Sequence, residues 1–453
     1  MKKIILALIV LTIISCNKSE KNYVLFSGKI ENPNSNLLSI INSSNKKVRE
    51  IKVSDAGVFS DTIFNANGYY RFSDGKETSS IYLENGYNIT LNMDAKEFDE
   101  SITYTGTGSS ENNFLAKKFL IKEKHNDIGK LFLLEEKEFL AKINEQKTEL
   151  LSSIDGSISE KFAQNEKKNI DYDYILTTKQ YERGHAYFAK KKEFKVSKDF
   201  PDLTKDLKFD NEEDYKISSA YRNLVGRNFY KTAKEVSKKD SVSFQDAAIQ
   251  FIEKVKSSEI KNELLTSIAR NISSKNEKSA DLYTAIMKLS TDKDFKTKLT
   301  KKYNLINTLA KGNDSPIFDN YENYAGGTSS LSDFKGKYVY IDVWATWCGP
   351  CKREIPSLKK VEKQYHDKDI AFISISIDVK KSHDAWIQMV KDKELTGVQL
   401  FADNDWSSKF IKNYDINSIP RFILIDKEGK IVNADAPRPS SKDLIKLFDE
   451  LKI

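Results

Sequence analysis

The stretch that most constrains this chain is Trp347-Cys348-Gly349-Pro350-Cys351. Ahead of it runs Tyr338-Val339-Tyr340-Ile341-Asp342-Val343-Trp344, which alternates little and is rich in β-branched and aromatic residues. Such a run predicts a strand buried on both faces of a sheet. After it, Ile355, Leu358, Val361 and Tyr365 recur at helical spacing. The two cysteines therefore fall on a strand-to-helix turn. Unpaired N–H groups and the positive end of the helix dipole face the Cys348 sulfur there, and both stabilise a thiolate. Cys348 is thus the candidate attacking thiol and is expected to be the more exposed sulfur. Cys351, one turn in, is the candidate resolving thiol, within reach to attack a mixed disulfide. Gly349 and Pro350 constrain the turn between them.

Only three cysteines occur in 453 residues, and the third is Cys16. Residues 1–16 begin Met-Lys-Lys, continue as the apolar run Ile4 to Ile14 and end Ser15-Cys16. The apolar run is too short to span a bilayer as a stable helix. It resembles a bacterial lipoprotein signal peptide, with Cys16 as the lipidation site and residues 17–22 as a tether. Position 17 is asparagine rather than aspartate; by analogy with the enteric sorting rule, an outer-membrane destination is favoured. With Cys16 carrying lipid, only Cys348 and Cys351 remain. They can supply neither a structural disulfide elsewhere nor a second cysteine pair for zinc. The histidines His125, His185, His366 and His383 have no ligand-like spacing and are expected at surfaces or boundaries. No metal is expected, and no cofactor beyond a redox-active Cys348–Cys351 disulfide.

The formal net charge of +7 is spread over a chain that is 31 % charged, with acids interleaved throughout. That is a solvated surface and argues against a nucleic-acid partner. The chain reads as multidomain. Residues 23–108 hold short alternating runs separated by turn clusters such as Ser54-Asp55-Ala56-Gly57 and Glu84-Asn85-Gly86, which predicts an all-β sandwich-like module. From 109 to 312 apolar residues step by three and four among Lys and Glu, predicting a helical region. Residues 313–453 alternate strand and helix and finish on a hairpin at Lys427-Glu428-Gly429-Lys430, predicting a mixed sheet with helices on both faces.

The segment Ile341 to Lys352 resembles the thioredoxin active site almost residue for residue. The lead-in Leu331-Ser332-Asp333-Phe334-Lys335-Gly336-Lys337, the Glu354-Ile355-Pro356 after the motif and the strand end Ser374-Ile375-Ser376-Ile377-Asp378 are similar to the extracytoplasmic, membrane-anchored (TlpA/ResA-like) branch related to cytochrome-maturation reductases. The β module resembles the small domain that precedes thioredoxin-like domains in exported proteins of Bacteroidetes-type bacteria. The resemblance implies a thioredoxin-like fold over 313–453, with an extra helical insertion near 378–398. Asp342 matches a buried aspartate that helps deprotonate the resolving cysteine, and a carboxyl inside a buried strand has a raised pKa. Pro420 matches the family's cis-proline, which would set the Ile419 backbone beside the sulfurs to pair with a substrate strand. Trp347 is expected to cover one side of the disulfide. Glu354 is expected as a solvated first-turn acid, with proton handling as the alternative.

These readings imply an exported, lipid-anchored thiol-disulfide oxidoreductase of the cell envelope, facing the periplasm and reducing protein disulfides. Its partners would be protein disulfide clients, a membrane thiol-disulfide electron donor and the membrane itself. A partner-binding scaffold lipoprotein with secondary redox activity is the alternative. A peroxide reductase ranks below both, because peroxidases of the related fold use a lone cysteine rather than a Cys-x-x-Cys pair.

Overall fold

A computed structural model describes residues 21–453, apart from 44, 126, 274 and 275. The expected signal peptide, Cys16 and most of the tether lie outside the described residues. The chain divides into two compact units, Met1–Ile260 and Lys261–Ile453.

The first unit opens with strands β1 (Tyr23–Glu31), β2 (Leu37–Asn42), β3 (Lys47–Lys52), β4 (Val58–Phe64), β5 (Gly68–Ser73), β6 (Thr78–Leu83), β7 (Asn88–Asp94) and β8 (Thr103–Thr107). They form two four-stranded sheets, ordered β4-β1-β7-β8 and β3-β2-β5-β6. Alternation along each strand turns one row inward. Val24, Phe26, Leu38, Ile40, Phe72 and Leu91 share one core. Gly28 has no substitute in this packing, since a Cβ there would sit 2.1 Å from the Leu91 carbonyl oxygen.

The helices that follow are not a separate layer. Helix Ser109–His125 completes the exposed edge of β6 through Asn112. Its Oδ1 accepts the Tyr82 N–H at 2.7 Å and its Nδ2 donates to the Tyr82 carbonyl at 2.9 Å, replacing a missing strand partner. Tyr82, Phe114 and Phe162 then bury together, the last from the long helix Glu160–Phe188. That helix also carries Glu166, whose wholly buried carboxylate accepts from Tyr69 Oη at 2.7 Å, Lys118 Nζ at 2.7 Å and Asn169 Nδ2 at 2.9 Å. His185 departs from the surface or boundary position expected of it. It is buried, with Nδ1 3.0 Å from the Phe132 carbonyl and its ring against Phe194, because the helix places it one turn after the buried Tyr181.

The second unit has strands β9 (Tyr321–Asn323), β10 (Thr328–Ser329), β11 (Tyr338–Trp344), β12 (Ile370–Ser376), β13 (Val398–Phe401), β14 (Arg421–Ile425) and β15 (Ile431–Asn433) in the order β10-β9-β13-β12-β11-β14-β15. Strand β11 is interior to the sheet, parallel to β12 and antiparallel to β14. Val339, Ile341 and Val343 enter one core together with Trp386 of helix His383–Asp392, which fills the expected insertion. Tyr340 enters the opposite core with Leu358 and Val361 of helix Gly349–Gln364 and Phe448 of helix Lys442–Glu450. No helix among the described residues is long and apolar enough to cross a membrane.

Removing Glu166 would leave the Lys118 ammonium, whose side chain is only 13 % exposed, without its counter-charge. Glu166→Ala is expected to lower the stability of the full chain by about 3 kcal/mol, read as a lower urea midpoint. A loss below about 1 kcal/mol, the scale of an exposed pair, would contradict the clasp described here.

Candidate active site

Strand β11 ends at Trp344, and Ala345-Thr346-Trp347 carry the chain over to the active-site helix Gly349–Gln364. A buried carboxylate fixes this crossing. Asp378, just past β12, accepts the Thr346 N–H at 2.8 Å, the Thr346 hydroxyl at 2.7 Å and the Ser376 hydroxyl at 2.8 Å. The crossing delivers Cys348 to the N-cap position, where its Sγ accepts the Cys351 N–H at 3.1 Å. Pro350 lies in the first helical turn, where a missing N–H costs nothing. Gly349 is not required by space, for a Cβ there would meet only the Arg353 guanidinium at 3.8 Å.

Cys348 and Cys351 are joined as a disulfide with Cα atoms 5.3 Å apart. The expected difference in exposure is almost absent: Cys348 is 3 % and Cys351 2 % exposed. Both sulfurs close the end of the core that holds Val343, Trp344 and Ala345, so the helix start does not lift Cys348 clear of it. What is exposed is Trp347, at 58 %, with its ring 6.4 Å from that of Trp406. The Ile419–Pro420 peptide bond is cis, and Ile419 packs against the core that contains both cysteines.

Asp342 stands on the Tyr340 face of β11, beneath the active-site helix. Alternation from Tyr340 puts it there, and its strand neighbours Ser374 and Phe422 hold the register. It is 6 % exposed, and its Oδ1 has no hydrogen-bond partner among the described residues. Burial, followed by the negative charges of Glu354 and Glu362, pushes its pKa from the ordinary 3.8 up to about 8. Asp342 and Cys351 both border a small cavity of about 10 Å³ under the helix.

Glu354 is not the solvated acid expected of a first-turn position. It is buried and accepts the Ser440 N–H at 3.1 Å and the Ser440 hydroxyl at 3.0 Å, with Arg438 4.0 Å away. The loop before the last helix closes over it. Asp378, Ser440 and Glu362 were not singled out in the sequence as site residues. For Asp378 a signal existed: a carboxylate directly after the apolar strand Ile370–Ser376 and Ile377. For Ser440 there was none.

The raised Asp342 value carries a sign. The folded chain holds this proton between about pH 4 and about pH 8 while the unfolded chain has released it, so stability falls as pH rises through that window. Asp342→Asn is expected to raise neutral-pH stability and flatten the fall, measured by denaturant unfolding of the oxidised protein at several pH values. Parallel curves for the two proteins would contradict the assignment.

The Redoxin family matches residues 310–445. The thiol-disulfide oxidoreductase ResA of Bacillus subtilis is 30 % identical over 125 residues, 28 % of this chain and 66 % of that protein. The thioredoxin-like protein YneN of the same organism is 27 % identical over 141 residues, 31 % of this chain and 80 % of that one. Among solved structures, the thioredoxin domain of a thiol-disulfide oxidoreductase from Bacteroides vulgatus is 30 % identical, covering 31 % of this chain and 97 % of its own, with a TM-score of 0.29. The chain thus spans just under two thirds of ResA. The Redoxin match, the Cys-Gly-Pro-Cys turn at a helix start and the strand order around β11 make the C-terminal part of this chain a member of the thioredoxin superfamily.

Proposed function

We propose that this protein is a thiol-disulfide oxidoreductase of the cell envelope that reduces protein disulfides. One observation carries the reading: Asp342 and Cys351 border a single small cavity under the active-site helix that Cys348 caps. In the dithiol form, the helix dipole and the Cys351 N–H stabilise a Cys348 thiolate. That thiolate attacks a client disulfide. A Cys348–client bond forms and the client's second sulfur leaves as a thiolate. Cys351 then gives its proton to the Asp342 carboxylate, and its sulfur attacks Cys348 Sγ. The Cys348–client bond breaks, the client's first sulfur leaves as a thiolate, and the Cys348–Cys351 disulfide forms. Two electrons have passed to the client.

Restoring the dithiol requires a second dithiol. A membrane thiol-disulfide donor is the proposed source, since the sequence contains no nucleotide-binding motif. Gly349-Pro350, as in the reducing thioredoxins, favours the reducing direction. Trp347, exposed beside the turn, and Ile419, partly buried against the same core, are the surfaces offered to a client. Residues 1–16 support lipid anchoring through Cys16 and an outer-membrane site facing the periplasm.

Cys351→Ala, expressed in the native host, should accumulate clients disulfide-linked to Cys348. The adducts should vanish in a Cys348→Ser, Cys351→Ala double variant, as read by non-reducing electrophoresis and mass spectrometry. Adducts that persist without Cys348 would contradict the proposal, as would full exchange activity in Cys348→Ser alone.

A further inference from the structure

The cavity between Asp342 and Cys351 has a second side. Three buried polar atoms of residues that border it have no partner among the described residues: Asp342 Oδ1, Trp344 Nε1 and Gln399 Oε1. A space of about 10 Å³ takes one water molecule. One donor and two acceptors form a set that one water satisfies, accepting from the indole and donating to the two oxygens.

Glu362 borders the same cavity from the active-site helix, eleven residues after Cys351. It is 8 % exposed, and its seat is built. The Thr396 hydroxyl donates to it. The chain bends around the carboxylate at Gly397 (φ +69°), where a Cβ would come 2.9 Å from Glu362 Oε1 and 2.8 Å from the Phe372 carbonyl. Lys359, one turn back, also borders the cavity and leads outward. Its side chain is 35 % exposed, and its Nζ donates to the Lys393 carbonyl at 3.1 Å and lies 3.8 Å from Glu394.

Two carboxyl groups on so small a buried space do not both ionise readily. We propose that Asp342 and Glu362, bordering one cavity the size of a single water, hold one proton between them, Glu362 being the positioning residue that governs when Asp342 can accept the Cys351 proton. The inference rests on the exchange reaction proposed above. Burial raises the Glu362 pKa, opposed by the Thr396 bond and by Lys359. The remaining charged or titratable neighbours are Glu354, engaged by Ser440 and near Arg438, and Tyr340 on the strand itself. Strands β12 and β13 present only uncharged Ser374 and Gln399 to the cavity.

The test follows the reduced full-length protein with Ellman's reagent, which releases one chromophore on attack by Cys348 and a second on resolution by Cys351. In the wild type the second phase should accelerate as pH rises through about 8. Glu362→Gln keeps the shape and can still accept from Thr396, but it removes the charge. Its midpoint should fall by about one pH unit; a profile superimposable on the wild type overturns the pairing. Asp342→Asn, run in parallel, separates the two claims. If it flattens the profile while Glu362→Gln changes nothing, only the pairing falls; if it changes nothing, the base role of Asp342 falls and the pairing with it. Should Glu362→Gln fail to fold by circular dichroism, oxidised-minus-reduced infrared spectra of the wild type decide. A protonated-carboxyl band that moves with isotopic labelling of Glu as well as of Asp supports the pair, and one that responds to Asp alone overturns it.

Discussion

The burial of one carboxyl on an interior strand is the constraint on which the site depends. Strand β11 has neighbours on both sides and a core on each face, so nearly every position on it is apolar. Asp342 breaks that rule beneath the active-site helix. No ion pair to a lysine or arginine offsets it among the described residues; its proton does so instead, which is why its pKa lies near 8 rather than near 4. Register fixes where this happens. Pairing of Asp342 with Ser374 and Phe422 points the carboxyl at the helix, and a slip of one residue would send it to the opposite core. The same strand end sets the Cys348 cap, so the proposed base and the proposed nucleophile are positioned by one element.

Rigidity around the disulfide comes from buried carboxylates with complete hydrogen-bond sets. Asp378 holds the crossing before Cys348, and Glu354 ties the helix that follows Cys351 to the loop at Ser440. Such networks hold geometry when every acceptor has its donor. Asp342 and the atoms around its cavity are the contrast: among the described residues, their unmet hydrogen-bonding capacity is gathered at the place where the proposed reaction must move a proton. In the first unit, Asn112 and Glu166 do for the sandwich what Asp378 does for the site. They join helices to strands so closely that the β module and the helices up to Ile260 make one compact body.

Much of this was legible in the residue order because it is local. The apolar run before the motif, the helical spacing after it and the Lys427–Lys430 turn each contain their own signal, and β11, the active-site helix and the β14–β15 hairpin lie where those signals put them. Strands β6 and β8 carry a weaker local signal. Thr78-Ser79-Ser80 and Thr103-Tyr104-Thr105 are too polar to stand out, and helix Ser109–His125 supplies the cover that the local pattern does not announce. Glu354 was misjudged for a related reason. A first-turn glutamate is ordinarily solvated, but Glu354 is the sixth residue of the helix Gly349–Gln364, and a loop 86 residues away covers it. Glu362 depends likewise on Thr396, 34 residues on. The burial of Cys348 was missed because a helix-dipole argument fixes where the sulfur sits but not what closes around it.

The most direct test is the reduction potential of the Cys348–Cys351 couple in the full chain. It would be measured by equilibration with glutathione at pH values below and above about 8, with the oxidised fraction read by alkylation and mass spectrometry. A buried base coupled to the disulfide predicts a reversible two-electron titration whose potential changes its slope against pH near 8, with the change lost in Asp342→Asn. A disulfide that glutathione cannot equilibrate, or a slope indifferent to Asp342, would contradict it.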